Sequence, residues 1–259
     1  MLLRIVYHFY KMKLIKYNGF NYELYQTWFR ECPLSFFTKI KILNSISIVS
    51  NYEIRELIRN YYNSNKEIFD QFDYFISLGD AGKSGDIILY ELRHGIRIQS
   101  TKFIRIDEML KSKTDANILF IDDLIGTGRQ SVRYINEKVS QVITSKTRFC
   151  ILTLFSTVEG SHKVDSETNV DQIFTINTIT DDWNIFHNSS NIFSSNEKQK
   201  IGIINDLLSS EHDDYNRGLL LAFSYGVPNN SVRLLWKHNY KYKLHGIEKK
   251  WFALLPRNY

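Results

Sequence analysis

Ile118-Leu119-Phe120-Ile121-Asp122-Asp123-Leu124-Ile125-Gly126-Thr127-Gly128-Arg129-Gln130 is the stretch whose reading decides the fold of this chain. The apolar run Ile118–Ile121 predicts a strand buried on both faces, as in parallel sheets. Asp122–Gly128 then reads as a loop and Gln130–Val142 as a helix. Two adjacent carboxylates thus stand at the exit of a buried strand, ahead of a glycine-bearing loop and a helix start. Asp122 and Asp123 can accept hydrogen bonds from two vicinal hydroxyls. Gly126 and Gly128 let backbone N–H groups approach an anion closely. Thr127 adds a hydroxyl, and the helix N-terminus favours negative charge. Hydroxyls at one end and a phosphate at the other describe a ribose 5-phosphate. A plain acidic turn would account for the carboxylates but not for the glycines, Thr127 and helix start that follow.

A second unit of the same kind lies upstream. Phe72–Leu78 is rich in aromatic and branched residues and predicts a strand. Gly79–Gly85 reads as a tight loop and Asp86–His94 as a helix. In this loop, Gly79-Asp80-Ala81-Gly82-Lys83-Ser84-Gly85, Lys83 brings charge, Ser84 a hydroxyl, and Gly82 and Gly85 backbone access. Gly82-Lys83-Ser84 also matches the end of an NTPase phosphate loop. That pattern requires a glycine five residues before Gly82, where Ser77 stands, so the loop is too short.

Arg148–Phe155 supplies a third strand. Two strand–loop–helix units followed by a strand predict an α/β fold, a parallel sheet flanked by helices. Ligands of such sheets sit at the carboxyl ends of the strands, where both loops would lie. Further strands are expected at Val170–Ile176 and Gly218–Ser224, and a helix at Asn196–Leu208. Before residue 70 the chain reads as helical, with Tyr22–Arg30, Ser35–Ser47 and Asn51–Tyr62 at three- and four-residue apolar spacing. Asn51 suits a helix cap, and Glu53 and Glu56 suit the first turn. The expected organisation is a helical N-terminal extension over 1–70 and an α/β domain over 71–259 that ends in an irregular basic tail.

Charge is unevenly spread. Residues 1–50 hold 7 Lys/Arg against 2 acids, residues 231–259 hold 7 against 1, and the middle holds 19 against 25. Two basic ends can meet an anionic partner such as a nucleic acid, or can simply be solvated. Cys32 and Cys150 fit no metal or redox spacing and read as buried free thiols in a reducing compartment. No apolar run approaches the length of a membrane span. The expectation is a cytoplasmic protein away from the membrane.

The segment around Asp122 resembles the type I phosphoribosyltransferase superfamily, whose signature is an apolar strand, an acidic pair, three variable residues and Thr-Gly-Gly-Thr. Asp122, Asp123, Thr127 and Gly128 fit in register, while Arg129 and Gln130 replace the last Gly and Thr. The resemblance implies that Gly79–Gly85 binds the pyrophosphate of 5-phosphoribosyl 1-diphosphate, with Mg2+ as cofactor. It assigns Asp122, Asp123 and Lys83 to catalysis, and names no metal ligands. Together with Val227-Pro228-Asn229-Asn230, Leu235-Trp236 and Trp251-Phe252-Ala253-Leu254-Leu255-Pro256-Arg257, the two loops resemble a divergent subgroup. These are phosphoribosyltransferase-like effectors of bacterial conflict systems, including those encoded beside retron reverse transcriptases. That resemblance implies antiviral defence and a partner complex of reverse transcriptase with its RNA/DNA. Pro228-Asn229-Asn230 reads equally as a plain turn or as a contact loop. Trp183, Tyr225 and Trp236 read as core aromatics or as stacking platforms for a base. The altered Arg129-Gln130 end leaves two functions open: an enzyme that transfers or hydrolyses the phosphoribosyl group, and an inactive ligand-sensing or scaffold module.

Overall fold

The computed structural model describes residues 2–112, 115–144, 146–209, 215–244 and 246–257. In chain order the elements are α1 (Leu2–Leu14), α2 (Tyr22–Glu31), α3 (Phe36–Ser45), β1 (Ser47–Val49), α4 (Asn51–Ser64), α5 (Lys66–Asp70), β2 (Tyr74–Ser77) and α6 (Ser84–Gly95). Then come α7 (Ile106–Ser112), β3 (Asn117–Ile125), α8 (Arg129–Glu137), β4 (Arg148–Thr157), α9 (Val158–Glu167) and β5 (Gln172–Ile179). The chain closes with α10 (Ser195–Leu207), β6 (Leu221–Phe223), α11 (Arg233–Trp236), β7 (Tyr240–Leu244) and β8 (Ile247–Trp251).

These elements form two compact units, Asn51–Ile179 and Met1–Ser50 joined with Thr180–Tyr259. The division does not fall at the expected residue 70. The reason is packing: α4 lies against α6, β4 and β5. Arg55 on α4 donates through Nε (2.9 Å) and Nη2 (2.7 Å) to Oε2 of the buried Glu91 on α6.

In the unit 51–179 the sheet has the order β2-β3-β4-β5, parallel throughout. Its core holds Ile76, Ile118, Phe120, Phe149 and Ile151, covered by Ile135, Val139 and Val164. The strand expected at Ile118–Ile121 runs on to Ile125, because β4 keeps pairing with it: Asp122 faces Thr153, Leu124 faces Phe155 and Ile125 faces Ser156. The acidic pair therefore sits inside the strand, not in a loop. Helix α8 ends at Glu137, short of the expected Val142, and residues 139–141 tighten to 3-10 geometry.

In the other unit, α1, α2, α3 and α10 bury Tyr25, Trp28, Ile42, Leu43 and Ile201 in one core. The segment expected as strand Gly218–Ser224 contributes β6, which pairs in parallel with β1 rather than joining the larger sheet. The tail is not irregular. β7 and β8 form an antiparallel hairpin anchored by the buried Tyr242 and Trp251. Pro228-Asn229-Asn230 is a turn, with Ser231 N–H donating to Pro228 O (3.1 Å). Arg257 clamps it, donating to Val227 O (2.7 Å) and Asn229 Oδ1 (2.5 Å) while its guanidinium lies 3.7 Å from the Trp236 ring centroid. Both late motifs thus serve one structural joint. Cys32 and Cys150 are buried free thiols.

Candidate functional site

Parallel pairing of β2 with β3 puts Ser77 opposite Ile121, so the loops after both strands leave the same carboxyl edge. The first loop is braced from within. Asp86, in the first turn of α6, accepts from Ser77 Oγ (2.5 Å) and from Gly82 N–H (2.6 Å). Gly79 and Gly82 have φ of 127° and 80°, a backbone that side chains with a Cβ rarely adopt. Asp80, Ala81, Gly82 and Lys83 are exposed. Gly85 is not: a Cβ there would lie 2.8 Å from Leu78 O, so this glycine holds α6 against the strand end. Ser84 and Gly85 belong to the helix rather than to the loop.

The second loop is reached through the carboxylates. Asp122 is half-buried and Asp123 is buried. Asp122 Oδ1 accepts from the Asp123 N–H (2.9 Å), and Asp123 Oδ1 accepts from Ser84 Oγ (2.9 Å). That last bond joins the first turn of α6 to the acidic pair, and so couples the two loops. Burial raises the Asp122 carboxyl well above the usual range, and the neighbouring Asp123 charge adds to the effect. The shift favours the protonated form of Asp122 relative to an isolated aspartate.

Gly126, Thr127 and Gly128 are buried, while Arg129 and Gln130 are exposed at the N-terminus of α8. The loop is pressed against the start of α9. Thr157 caps that helix by accepting from Gly160 N–H (2.9 Å) and donates to Gly126 O (2.5 Å). A Cβ on Gly160 would stand 2.2 Å from Gly126 O, and one on Gly128 2.6 Å from Gly160 O. The loop glycines thus permit backbone packing as well as any ligand approach. Thr157 and Gly160 were not among the residues expected at the site. A Thr-x-x-Gly step at a strand-to-helix junction is the signal that marks them.

Beside the first loop lies a cavity of about 450 Å³ whose walls include Asp80, Ala81, Arg93, Arg105, Tyr134 and Lys138. Arg93, Arg105 and Lys138 come from three separate segments, and nothing in their local sequence ties them to the loop. Burial raises the Tyr134 hydroxyl pKa, with the charge of Asp80 next in effect. Among the described residues no group of three or more His, Cys, Asp or Glu side chains could hold a metal ion. Trp183, Tyr225 and Trp236 all lie in the other unit, and Trp236 is buried under Arg257.

The family model PRTase-CE matches residues 26–257. The chain belongs to the PRTase-CE family. The match contains both loops, and it bears out the expected phosphoribosyltransferase superfamily. Solved structures similar to this PRTase-CE protein include orotate phosphoribosyltransferase of Mycobacterium tuberculosis in complex with inorganic phosphate, at 13% identity over 50% of this chain and 71% of that one, TM-score 0.34. A hypoxanthine-guanine-xanthine phosphoribosyltransferase shares 14% identity over 52% of this chain and 80% of that one, TM-score 0.37. A hypothetical protein of Neisseria gonorrhoeae with bound ppGpp shares 11% identity over 52% and 84%, TM-score 0.37. No curated protein matches the chain. No helix among the described residues is long and apolar enough to cross a membrane.

Proposed function

We propose that this PRTase-CE protein binds 5-phosphoribosyl 1-diphosphate and breaks its C1–pyrophosphate bond, passing the phosphoribosyl group to an acceptor or to water. The observation that carries this reading is the Ser84–Asp123 hydrogen bond at the shared strand edge. It couples an acidic pair suited to ribose hydroxyls with an exposed, cation-bearing loop suited to a diphosphate. Asp122 and Asp123 orient the ribose. Their carboxyl oxygens can accept from two vicinal hydroxyls. Gly79, Asp80, Ala81 and Gly82 present the loop backbone, and Lys83 adds a charge that stabilises the leaving diphosphate. Thr127, Arg129 and Gln130 face the 5-phosphate from the start of α8. Mg2+ prefers oxygen ligands and is commonly held by one or two carboxylates together with substrate phosphates, so the diphosphate itself would supply much of its coordination. When bound, the ion neutralises charge on the diphosphate.

A second reading, a ligand-sensing or scaffold module without turnover, is favoured by the buried Gly126-Thr127-Gly128 loop, whose glycines already pack on α9. Release of pyrophosphate from the sugar diphosphate, with and without candidate bases, separates the two. In the first reading Asp122→Asn with Asp123→Asn abolishes binding in a folded chain. Lys83→Ala weakens the diphosphate far more than ribose 5-phosphate. Unchanged affinity of the folded double variant by calorimetry would reject the ribose assignment.

The cellular role we propose is that of an antiviral effector restrained by a nucleic-acid-containing complex, a reverse transcriptase with its RNA/DNA. Both basic ends enter one unit, which carries 17 Lys/Arg against 10 Asp/Glu, whereas residues 51–179 carry 16 against 18. Expression alone should be toxic, relieved by the neighbouring genes and lost with the Asp122/Asp123 double variant. A harmless chain that rescues a base-salvage auxotroph rejects this role.

A further inference from the structure

At the opposite end of β2 from the two loops, the unit 51–179 contains a second cleft of about 690 Å³. It is built from two stretches far apart in sequence, 59–70 at the junction of α4 with α5 and 95–102 beyond the end of α6. Its lining carries four cations, Arg59, Lys66, Arg97 and Lys102, against a single carboxylate, Asp70. Two of the cations have structural duties. Arg59 pairs with Glu56 (2.5 Å), and Lys102 Nζ donates to Phe72 O (2.8 Å) at the start of β2. The other two do not: Lys66 and Arg97 are exposed, and neither makes a hydrogen bond or ion pair with a described residue. Drawing four positive charges around one concavity costs repulsion unless an anion shares it. The unit as a whole is slightly acidic, so this cleft stands out from its surroundings.

The remaining lining has its own chemistry. Tyr62 stands edge-on to the buried Phe69, with ring centroids 5.0 Å apart, and gives the cleft an aromatic wall. Asn63 and Gln99 add exposed amides, each able both to donate and to accept. The volume lies within the usual range for small-molecule sites, about 300–1,000 Å³. Cations for phosphates, an aromatic wall for a ring and amides for a ring edge together describe one class of ligand. We propose that this cleft is a second binding site, separate from the Asp122 edge, for a nucleoside polyphosphate.

Calorimetry on the full chain tests this, with ATP, GTP and inorganic tripolyphosphate as probes. At least one nucleotide should bind saturably, more weakly at higher salt, and about tenfold or more tighter than tripolyphosphate. Lys66→Ala with Arg97→Ala should lower that affinity by about tenfold or more, since charge-assisted contacts to phosphate are lost. Both side chains are exposed, and the circular dichroism of the double variant should match that of the native chain. Asp122→Asn with Asp123→Asn should leave the nucleotide affinity unchanged, which keeps this site distinguishable from the sugar-diphosphate reading. Failure of all three probes to saturate overturns the proposal. So does equal affinity for tripolyphosphate and the nucleotides, or binding that survives the Lys66/Arg97 change and disappears with the Asp122/Asp123 change.

Discussion

The pKa of the Asp122 carboxyl is raised by its place inside β3. Burial and the Asp123 charge favour its protonated form. The unfolded chain, with an ordinary aspartate, releases that proton near a pKa of about 3.9. The folded state then binds more protons than the unfolded state, so folding stability falls as pH rises from that value toward the raised one. Asp122→Asn keeps an oxygen for the Asp123 N–H and removes the ionisation. We therefore predict a variant more stable than the native chain at pH 7, with the difference closing below about pH 4. Urea denaturation at a series of pH values checks this. A variant less stable at pH 7 would mean that the fold favours the Asp122 carboxylate, its pKa lowered rather than raised. The same residue scale explains the glycines: Gly126 and Gly128 are legible in sequence as a loop, but their contact with Gly160 depends on α9, whose cap Thr157 lies 31 positions from Gly126.

At the scale of elements, α4 is bound to α6 by a charge pair of unequal burial. The Glu91 side chain is 3% exposed and that of Arg55 37%. Removing the arginine leaves a buried carboxylate without its cation. Arg55→Ala should cost about 3–5 kcal/mol, whereas Arg55→Met with Glu91→Met should recover most of that loss, because two apolar side chains need no partner. Chemical denaturation of the single and double variants measures both, and a double variant as unstable as the single one rejects the account. Elements that rest on local pattern were readable beforehand. α2 begins at Tyr22 and α4 at Asn51, as the apolar spacing requires, and Asn21 caps the former by accepting from Leu24 N–H (2.9 Å). β3 was read too short because Asp122 and Asp123 look like loop residues. Their strand geometry comes from β4, which offers partners as far as Ser156.

For the whole molecule, the partition of the chain leads to a test by dissection. The unit 51–179 is continuous in sequence and has its own core. The other unit draws on both chain ends, with Tyr17 Oη donating to Pro256 O (2.5 Å) across 239 positions. A fragment of residues 51–179 should unfold cooperatively and keep any affinity for the sugar diphosphate. A fragment of residues 71–259 should not, because it lacks α4, the Arg55 partner of Glu91, and the N-terminal half of the second core. Thermal denaturation and calorimetry of the two fragments decide, and a cooperative fold in 71–259 would restore the boundary read from sequence.

The sequence alone determined the parallel α/β sheet and the two strand–loop–helix units. Those follow from runs of apolar residues, glycines and helix periodicity, whose physics acts over a few neighbouring positions. It also singled out Ser84 and Asp123, which the fold joins by a hydrogen bond, but not Thr157 or Gly160. Tertiary structure decided what depends on distant contacts. The Ser84–Asp123 bond, the burial that raises the Asp122 pKa, and the packing of Gly128 on Gly160 exist only after β2, β3 and α9 have come together. The union of both basic ends in one unit was likewise hidden, since burial and long-range pairing leave no periodic mark on the chain.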